Sequence, residues 1–482
     1  CLSSIRCAPA RPTILADMSA EVPSITPELL TRYNIAGPRY TSYPTADRFT
    51  PVFGENALIQ ALQERQQTQG CGTAPQALSV YVHLPFCASL CYFCACNKII
   101  TRHREQAAEY LHLLRQELSL YRAHLAGQTV TQLHLGGGSP TFLSDQELAQ
   151  LMQLLREHFL FDTQGEYSIE VDPRTVDARR LQHLAQLGFN RISFGVQDFD
   201  ATVQQAVHRI QPTEQVFSLV AAAREVGFGS INTDLIYGLP HQTTASFSHT
   251  LEQICTLRPD RIALYAYAHL PERFKAQRRI DTHALPGGNE KINLLALALQ
   301  QFRVAGYVYV GMDHFALPDD ALAQAKQHGQ LQRNFQGYST RPDCDLIGLG
   351  VSAIGRIGNC YSQNAKTRDA YRHPVQQGHF PAERGLQLTR DDQIRRAVIM
   401  AIMCQGEVVF DAISRDWQID WSTYFSTEMT HLEPLQAQGL LSLHDDRFRI
   451  TAMGWYFVRA VAMVFDRHLQ TARTEARFSR IL

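Results

Sequence analysis

Four cysteines crowd into one short stretch, and their thiols are the side chains best suited to chemistry in this chain. Cys87, Cys91, Cys94 and Cys96 lie in the segment YVHLPFCASLCYFCACNK, directly after the apolar run Leu78–Leu84. The other cysteines are scattered singly along the sequence. Thiolates at this density are typical of a zinc site or an iron–sulfur cluster rather than of disulfides. The stretch is therefore a candidate metal centre.

The spacing of these cysteines favours an iron–sulfur cluster over zinc. Structural zinc sites usually combine two separated Cys-x2-Cys pairs, whereas this loop has a single Cys-x3-Cys-x2-Cys pattern and no second cluster of cysteines downstream. Three cysteines can bind three irons of a four-iron cluster and leave the fourth iron open to a small chelating molecule. We therefore predict a [4Fe-4S] cluster on Cys87, Cys91 and Cys94. A zinc-dependent structural or DNA-binding protein is the alternative that a metal assay excludes.

Candidate strands and helices alternate from residue 78 onward. Repeated strand–helix units predict a parallel α/β sheet, either a full or partial β/α barrel or a doubly wound sheet. The strands are predicted at 78–84, 130–135, 167–171, 191–194, 231–236, 261–266 and near 307–310. The helices between them are predicted at 104–125, 145–158, 176–187, 213–226, 245–257 and 289–304.

Polar and glycine-rich motifs follow the ends of successive predicted strands. The cysteines follow the first strand, GGGSP (136–140) follows the second, and Glu170 closes the third. Barrel enzymes build their active sites at the carboxyl ends of their strands, so these motifs should converge. The glycines would let a ligand approach the backbone closely. Glu170 would accept hydrogen bonds from a ribose or an amino group, or would instead pair with Arg174; Gln197 and Asp234 repeat the pattern on the next strands.

Four regions are predicted along the chain. Residues 1–25 are an extension without periodicity, and 26–76 hold an arm and a helix. Within that arm, the segment GPRYTSYPTADRF is either an ordered arm lying across another surface or a plain surface loop, because its prolines forbid a regular helix. Residues 77–375 form the catalytic barrel. After about residue 376 the alternation of strands and helices stops, and we predict helices at 391–404, 421–439 and 453–469 with a short hairpin at 440–451. Residues 376–482 therefore form a mostly helical, winged-helix-like domain that we interpret as a cover over the site.

Charge and hydropathy restrict the partners. The formal net charge of −1 argues against nucleic acid as a bulk electrostatic partner. No apolar run reaches the length of a membrane span, and the early sequence lacks the apolar core of a secretory signal. We therefore expect a cytoplasmic monomer that binds neither nucleic acid nor membrane.

Ordered motifs support a family resemblance. The chain contains, in this order, GPRYTSYPTA, YVHLPFC, CYFCACNK, LGGGSPT, IEVDPR, FGVQDF, DLIYGLP, YAHLP, GMDHFA, RNFQGY and GVSAI. With them it closely resembles the oxygen-independent coproporphyrinogen III oxidases (coproporphyrinogen dehydrogenases) of the radical S-adenosylmethionine superfamily. Ser139 stands for the usual threonine and Ala95 for a common glycine; both changes are conservative in size.

The resemblance implies a partial (β/α) barrel with an N-terminal arm and a C-terminal mostly helical domain. It implies oxidative decarboxylation of two propionates of coproporphyrinogen III to vinyl groups, giving protoporphyrinogen IX in haem biosynthesis by a 5′-deoxyadenosyl radical. The implied cofactors are the cluster and two molecules of S-adenosylmethionine. The residues that match the first of these two molecules are Tyr81, Phe93, Gly137, Glu170 and Ile354, and those that match the second are Gly138, Ser139, Gln197, Arg209, Asp234 and Ala268.

Three residues are predicted to act on the substrate or in turnover. Cys96 matches a family cysteine that does not bind the cluster, and Arg39 with Tyr40 is our candidate for meeting the propionates. The alternative function is that of the related haem chaperones, which share the three-cysteine motif but lack decarboxylase activity. Cys96 and the RYTSYPTA arm favour the enzyme. The resemblance also implies an electron donor and an electron acceptor as partners.

Overall fold

The protein is described by a computed structural model that covers residues 27–33, 35–70, 77–341 and 343–470. These residues form two compact units, each assembled from separate stretches of chain. The sheet unit comprises Arg48–Pro286 and Cys344–Gln387. The helical unit comprises the described residues within 1–47, with Gly287–Asp343 and the described part of 388–482. The extension predicted at 1–25 lies outside the described residues.

The sheet unit is built on ten strands, of which seven are parallel. The strands are β1 (Leu78–Leu84), β2 (Thr129–Gly137), β3 (Leu160–Val171), β4 (Arg191–Gln197), β5 (Ser230–Tyr237), β6 (Arg261–Ala266), β7 (Asp345–Leu349), β8 (Ile354–Ile357), β9 (Cys360–Asn364) and β10 (Ala382–Gln387). Their order across the sheet is β10-β9-β8-β7-β1-β2-β3-β4-β5-β6, where β7 is parallel to β1 and β8 to β10 pair antiparallel with their neighbours. The prediction of an α/β fold with a parallel sheet is confirmed.

Helices connect the successive parallel strands β1 to β6. A capping box fixes the start of one of them, because the Ser144 side chain accepts from the backbone N–H of Glu147 while the Glu147 side chain accepts from that of Ser144. The helices of this unit are Glu55–Gly70, Glu105–Leu125, Asp145–His158, Ala178–Gln186, Ala201–Ala206, Thr213–Glu225, Thr244–Leu257 and Arg368–Gln376.

One face of the parallel sheet carries polar side chains. In β4, buried residues alternate with half-buried ones, and the half-buried set includes Ser193 and Gln197. The same alternation places Glu170 of β3 and Asp234 of β5 in the half-buried set. Side chains alternate between the two faces of a strand, so these residues share one face and the apolar residues the other. A polar, partly open face therefore runs along the carboxyl halves of neighbouring strands.

The helical unit has a core of its own, to which the N-terminal arm contributes. Tyr40 and Tyr43 are fully buried there, and Arg459 Nε donates to the Pro38 carbonyl at 2.9 Å. The arm is therefore ordered, and the interpretation as a plain surface loop is wrong. The helices are Pro27–Tyr33, Gly288–Val304, Ala321–Gln327, Arg390–Gln405, Phe410–Trp417, Trp421–Tyr424, Ser426–Ala437, Val458–Val464 and Arg467–Gln470.

Short antiparallel strands complete the helical unit. Three of them form one small sheet in the order Glu407–Val409, Arg447–Ile450, Leu441–Leu443, which confirms the hairpin predicted at 440–451. Two further hairpins pair Val308–Gly311 with His314–Ala316 and Gln332–Asn334 with Gly337–Ser339. A mostly helical C-terminal region is confirmed.

Two local predictions were wrong. The single helix expected at 421–439 is two helices, because fully buried Phe425 adopts a non-helical backbone between them. The strand alternation does not stop near residue 376, because β10 still pairs with β9 after that point. The compact units are also discontinuous in sequence, whereas each domain predicted from the sequence was a single contiguous range.

Candidate active site

The cysteine loop is closed at its base by a short parallel ladder. Phe86–Cys87 pairs with Ile99–Ile100, and the N–H of Thr101 donates to the Cys87 carbonyl at 3.0 Å. Within the loop, the N–H of Cys94 donates to the Cys91 carbonyl at 3.3 Å. The ladder follows directly on β1, so the sheet holds the loop at the carboxyl end of that strand, as the sequence predicted.

Hydrogen-bond donors surround the cysteine sulfurs. Two guanidiniums approach Cys91 Sγ, with Arg209 Nη1 at 3.5 Å and Arg174 Nη2 at 3.6 Å, and Ser139 Oγ lies 3.9 Å from Cys87 Sγ. Cationic and N–H donors stabilise thiolate sulfur, which is the form that binds metal. The loop is thus set in surroundings that favour negatively charged sulfur.

The thiols differ in acidity. A hydrogen bond from the Cys96 thiol, helped by Lys98 and opposed by burial, lowers the pKa of Cys94 to about 6. Burial raises the pKa of Cys87 to about 11, so this thiol gives up its proton only when something binds the sulfur. Lys98 Nζ also donates to the Cys94 carbonyl at 2.8 Å, and this contact ties the lysine to the loop.

The donors of the loop fit three ligands of a four-iron cluster. Cys87, Cys91 and Cys94 are unpaired thiols within one loop and have cationic neighbours. Three thiolates are what such a cluster requires when its fourth iron is left open to a small molecule.

The Glu170 carboxylate links β2 to β3 at the polar face. Its Oε1 lies 3.2 Å from His134 Nε2, and its Oε2 accepts from the N–H of Gly137 at 3.1 Å. Burial opposes the charge, but these contacts outweigh burial and hold the pKa of Glu170 below its ordinary value. The alternative pairing with Arg174 is wrong, because that guanidinium binds Asp172 instead.

Asp234 forms a second polar group on β4 and β5. Asn232 Nδ2 donates to its Oδ1 at 2.9 Å, and Ser193 Oγ donates to its Oδ2 at 3.2 Å. Burial, and then the negative charge of Glu170, raises the pKa of Asp234 to about 7. This carboxyl therefore exchanges its proton close to neutral pH, while Glu170 stays ionised.

The glycine triplet is required by the protein's own packing. Gly137 has a φ of +108°, and a Cβ placed there would collide with the His83 ring. A Cβ on Gly138 would lie 2.7 Å from the Phe86 carbonyl oxygen. A side chain at Gly138 would therefore displace the backbone that leads into the cysteine loop, whereas one at Gly137 would displace the His83 ring. The predicted role in cradling a ligand remains a prediction.

The remaining predicted cofactor residues lie in the sheet unit. Gln277 Nε2 joins two of them, since it donates to the Phe93 carbonyl at 3.0 Å and to the Ala268 carbonyl at 3.2 Å. Tyr81 Oη lies 2.9 Å from His83 Nδ1. Gln197 ends β4 with a φ of +72°, and Ile354 begins β8.

Arg39 and Tyr40 lie in the helical unit. Arg39 forms an ion pair with Asp313, and the Tyr40 hydroxyl donates to Asp466 Oδ2 at 3.0 Å. Tyr40 is fully buried. Their predicted action on the substrate remains a prediction.

Sequence reasoning did not select several polar residues that the site contains. His134 and Asn232 face the same side as Glu170 and Asp234, and Asp172 binds two arginines beside the cysteines. The two-residue period of β2 and β5 would have indicated His134 and Asn232. Nothing in the sequence indicated Gln277, because the cysteine-loop residue that it contacts, Phe93, is 184 residues away along the chain.

Comparison with known families gives two matches. The Radical SAM superfamily matches residues 81–254, and the HemN C-terminal domain matches residues 388–457. The first range contains the cysteine loop and the ends of β2 to β5. The second contains the small three-stranded sheet of the helical unit.

Relatives are similar over most of the chain. The "Oxygen-independent coproporphyrinogen III oxidase" of Pseudomonas aeruginosa is 47% identical over 458 residues, covering 94% of this chain and 98% of that protein. The proteins of the same name from Escherichia coli and Synechocystis are 46% and 40% identical, each over 94% of this chain and over 98% and 97% of the relatives. A solved structure described as "Coproporphyrinogen III oxidase (HemN) from Escherichia coli is a Radical SAM enzyme" aligns with a TM-score of 0.85 at 46% identity, covering 89% of this chain and 98% of that one.

Proposed function

The chain belongs to the family of oxygen-independent coproporphyrinogen III oxidases, and on that premise we propose how its residues divide the work of the radical SAM reaction. The enzyme is an oxidoreductase of haem biosynthesis that uses a [4Fe-4S] cluster and S-adenosylmethionine, with coproporphyrinogen III as its substrate. The observation that carries this conclusion is the cysteine loop at the carboxyl end of β1, in a chain 47% identical to a named oxidase over 94% of its length.

We assign the cluster to Cys87, Cys91 and Cys94. When bound, the cluster and S-adenosylmethionine supply a one-electron reductive cleavage and the hydrogen-abstracting radical that results from it. The chain's own part is to hold the sulfurs as thiolates, which the donors around Cys91 and Cys94 support. Cys96 is proposed to act in turnover without binding the cluster, since its thiol donates to the Cys94 sulfur.

We propose two neighbouring S-adenosylmethionine sites on the polar face of the sheet. Glu170 is ionised, so it can accept hydrogen bonds from the first molecule, together with contacts from Tyr81, Phe93, Gly137 and Ile354. Asp234 and Arg209, with Gly138, Ser139, Gln197 and Ala268, would hold the second. The raised pKa of Asp234 suits a group that accepts a hydrogen bond in one state and donates one in the other.

The substrate and the electron partners place further demands on the chain. Each propionate that becomes a vinyl group loses carbon dioxide, one hydrogen atom and one electron, so the reaction needs an electron donor for the cluster and an acceptor for the product electron. We propose Arg39 and Tyr40 as residues that meet a propionate. The three ligand thiols remain unpaired only in a reducing compartment, so we propose that the enzyme works in the cytoplasm. We also propose that it is a monomer and that it binds no nucleic acid. In the described ranges, no helix is long and apolar enough to cross a membrane.

The test is anaerobic turnover. Reconstituted, reduced protein is incubated with coproporphyrinogen III, S-adenosylmethionine and an added one-electron acceptor, and the porphyrin products are separated and identified. We expect protoporphyrinogen IX, formed together with 5′-deoxyadenosine and methionine. A protein that binds haem but forms no decarboxylated product under these conditions would be a chaperone, and the proposal would be wrong.

A further inference from the structure

Asp172 binds two arginines directly beside the cysteine loop. Its Oδ2 lies 2.6 Å from Arg174 Nη2 and 3.2 Å from Arg209 Nη1, and its Oδ1 lies 3.0 Å from Arg174 Nε. The side chains of Asp172, Arg174 and Arg209 are 10%, 20% and 8% exposed. Two cations and one anion therefore share a largely buried position, which leaves an excess positive charge there.

Both guanidiniums also face the same sulfur. Arg174 Nη2 lies 3.6 Å and Arg209 Nη1 lies 3.5 Å from Cys91 Sγ, and the Cys91 residue is 8% exposed. Arg209 is held further by its Nε, which donates to the Gly195 carbonyl at 3.1 Å. An ion pair between Asp172 and a single arginine would already satisfy the carboxylate. The carboxylate alone therefore does not explain the second guanidinium, or the approach of both guanidiniums to the Cys91 sulfur.

We propose that Arg174, held in place by Asp172, sets the reduction potential of the iron–sulfur cluster through the sulfur of Cys91. This inference rests on the proposed assignment of the cluster to Cys87, Cys91 and Cys94. Arg174 is chosen because Arg209 is already assigned to S-adenosylmethionine. Arg174 acts on the cluster through Cys91, so it is a positioning residue and takes no part in bond making.

The direction of the effect follows from charge. Reduction adds one electron, and no proton, to a cluster whose thiolate ligands are already negative. A nearby positive charge and N–H···S hydrogen bonds stabilise the more negative, reduced form more than the oxidised form. Burial strengthens both effects, because water screens them less in the interior. Arg174 therefore raises the potential and makes the cluster easier to reduce.

The experiment is a redox titration of the reconstituted protein with dithionite and mediators, without substrate or S-adenosylmethionine. The electron paramagnetic resonance signal of the reduced cluster reports the reduced fraction. Arg174→Met removes both the charge and the donors, and we expect its reduction equilibrium constant to fall about tenfold or more, which is about 59 mV for one electron. Arg174→Gln keeps donors without charge and should give a smaller fall. Arg174→Lys keeps the charge and should stay closest to the unchanged protein.

Arg191→Gln is the matched control. Arg191 also pairs with a buried carboxylate, Glu166 at 2.8 Å, and its side chain is 17% exposed, but it begins β4 at the amino end of the sheet. Its potential should equal that of the unchanged protein. A full iron content with an unchanged potential in Arg174→Met would overturn the inference, and so would an equal shift in Arg191→Gln.

Failure of the inference can be told apart from failure of the proposed function. If Arg174→Met does not retain four irons, the potential of Arg174→Gln is the test instead, because this variant also removes the charge but keeps a polar, though shorter, side chain. If the unchanged protein binds no iron after anaerobic reconstitution, the proposed function fails. If it binds a reducible cluster whose potential no Arg174 variant alters, only this inference fails.

Discussion

Arg39 Nη2 lies 2.6 Å from Asp313 Oδ2, within the helical unit, and the two side chains are 33% and 20% exposed. The arginine that the sequence indicated for a substrate carboxylate is thus held by a carboxylate of the protein itself. The Arg39 guanidinium is partly exposed, and a guanidinium carries five N–H donors in a planar arrangement that suits a carboxylate. The ion pair with Asp313 orients the planar guanidinium of Arg39.

Arg39→Ala should therefore reduce decarboxylation while leaving the cluster and S-adenosylmethionine cleavage intact. Loss of a charge-assisted contact to a propionate costs about 1.5–3 kcal/mol, roughly ten- to a hundredfold in turnover or substrate affinity. The measurement compares product formation with uncoupled formation of 5′-deoxyadenosine. Asp313→Asn is the control, because it removes the negative charge of the pair but keeps an acceptor oxygen for Arg39, and it should retain most activity. Equal losses in both variants would make the pair structural only.

Substitution of each ligand cysteine should abolish the cluster. Cys87→Ala, Cys91→Ala and Cys94→Ala each remove one of three protein ligands, so iron content and the visible absorption should be lost. Cys96→Ala should keep both but lose turnover, and Cys255→Ala, a half-buried cysteine elsewhere in the sheet unit, should resemble the unchanged protein. Stoichiometric zinc without iron after reconstitution would contradict the assignment.

Gly137→Ala should weaken S-adenosylmethionine binding. At a φ of +108° the new Cβ is strained and meets the His83 ring, so the N–H that binds Glu170 must move. Gly127→Ala separates the two causes, because Gly127 also has a positive φ, +71°, but nothing lies within 4 Å of its Cβ position. Calorimetry should show lost binding for Gly137→Ala and normal binding for Gly127→Ala, both with full iron content. Normal binding by Gly137→Ala would leave the triplet with a packing role alone.

Glu117 should make stability depend on pH. Burial raises its pKa from 4.5 to about 7, although Tyr371, Gly350 and Asn364 all donate to it. Because the folded pKa is the higher one, its contribution is fully present below the unfolded value and is lost as pH rises through 7, by about 3 kcal/mol.

Comparison with Glu117→Gln measures this contribution. The deficit of the variant in thermal unfolding midpoint should be largest at and below about pH 4.5 and should shrink as the pH rises to about 7, above which the unchanged protein carries a buried charge. Exposed Glu157→Gln should show no such trend. A deficit that is independent of pH would mean that Glu117 keeps an ordinary pKa.

The sequence by itself determined the six successive parallel strands β1 to β6, the spacing of the cysteines and the family. Strands β1 and β6 match their predicted limits because each is a short run rich in buried apolar residues, and the cysteine spacing is local. Only the tertiary structure decided that Arg174 pairs with Asp172 and not with Glu170, and that His134 holds Glu170. These pairings depend on the register of neighbouring strands and on loops that meet across the sheet. The two-residue period of a strand predicts on which face of the sheet a side chain lies. Contacts between distant segments depend instead on the order and register in which the strands pair.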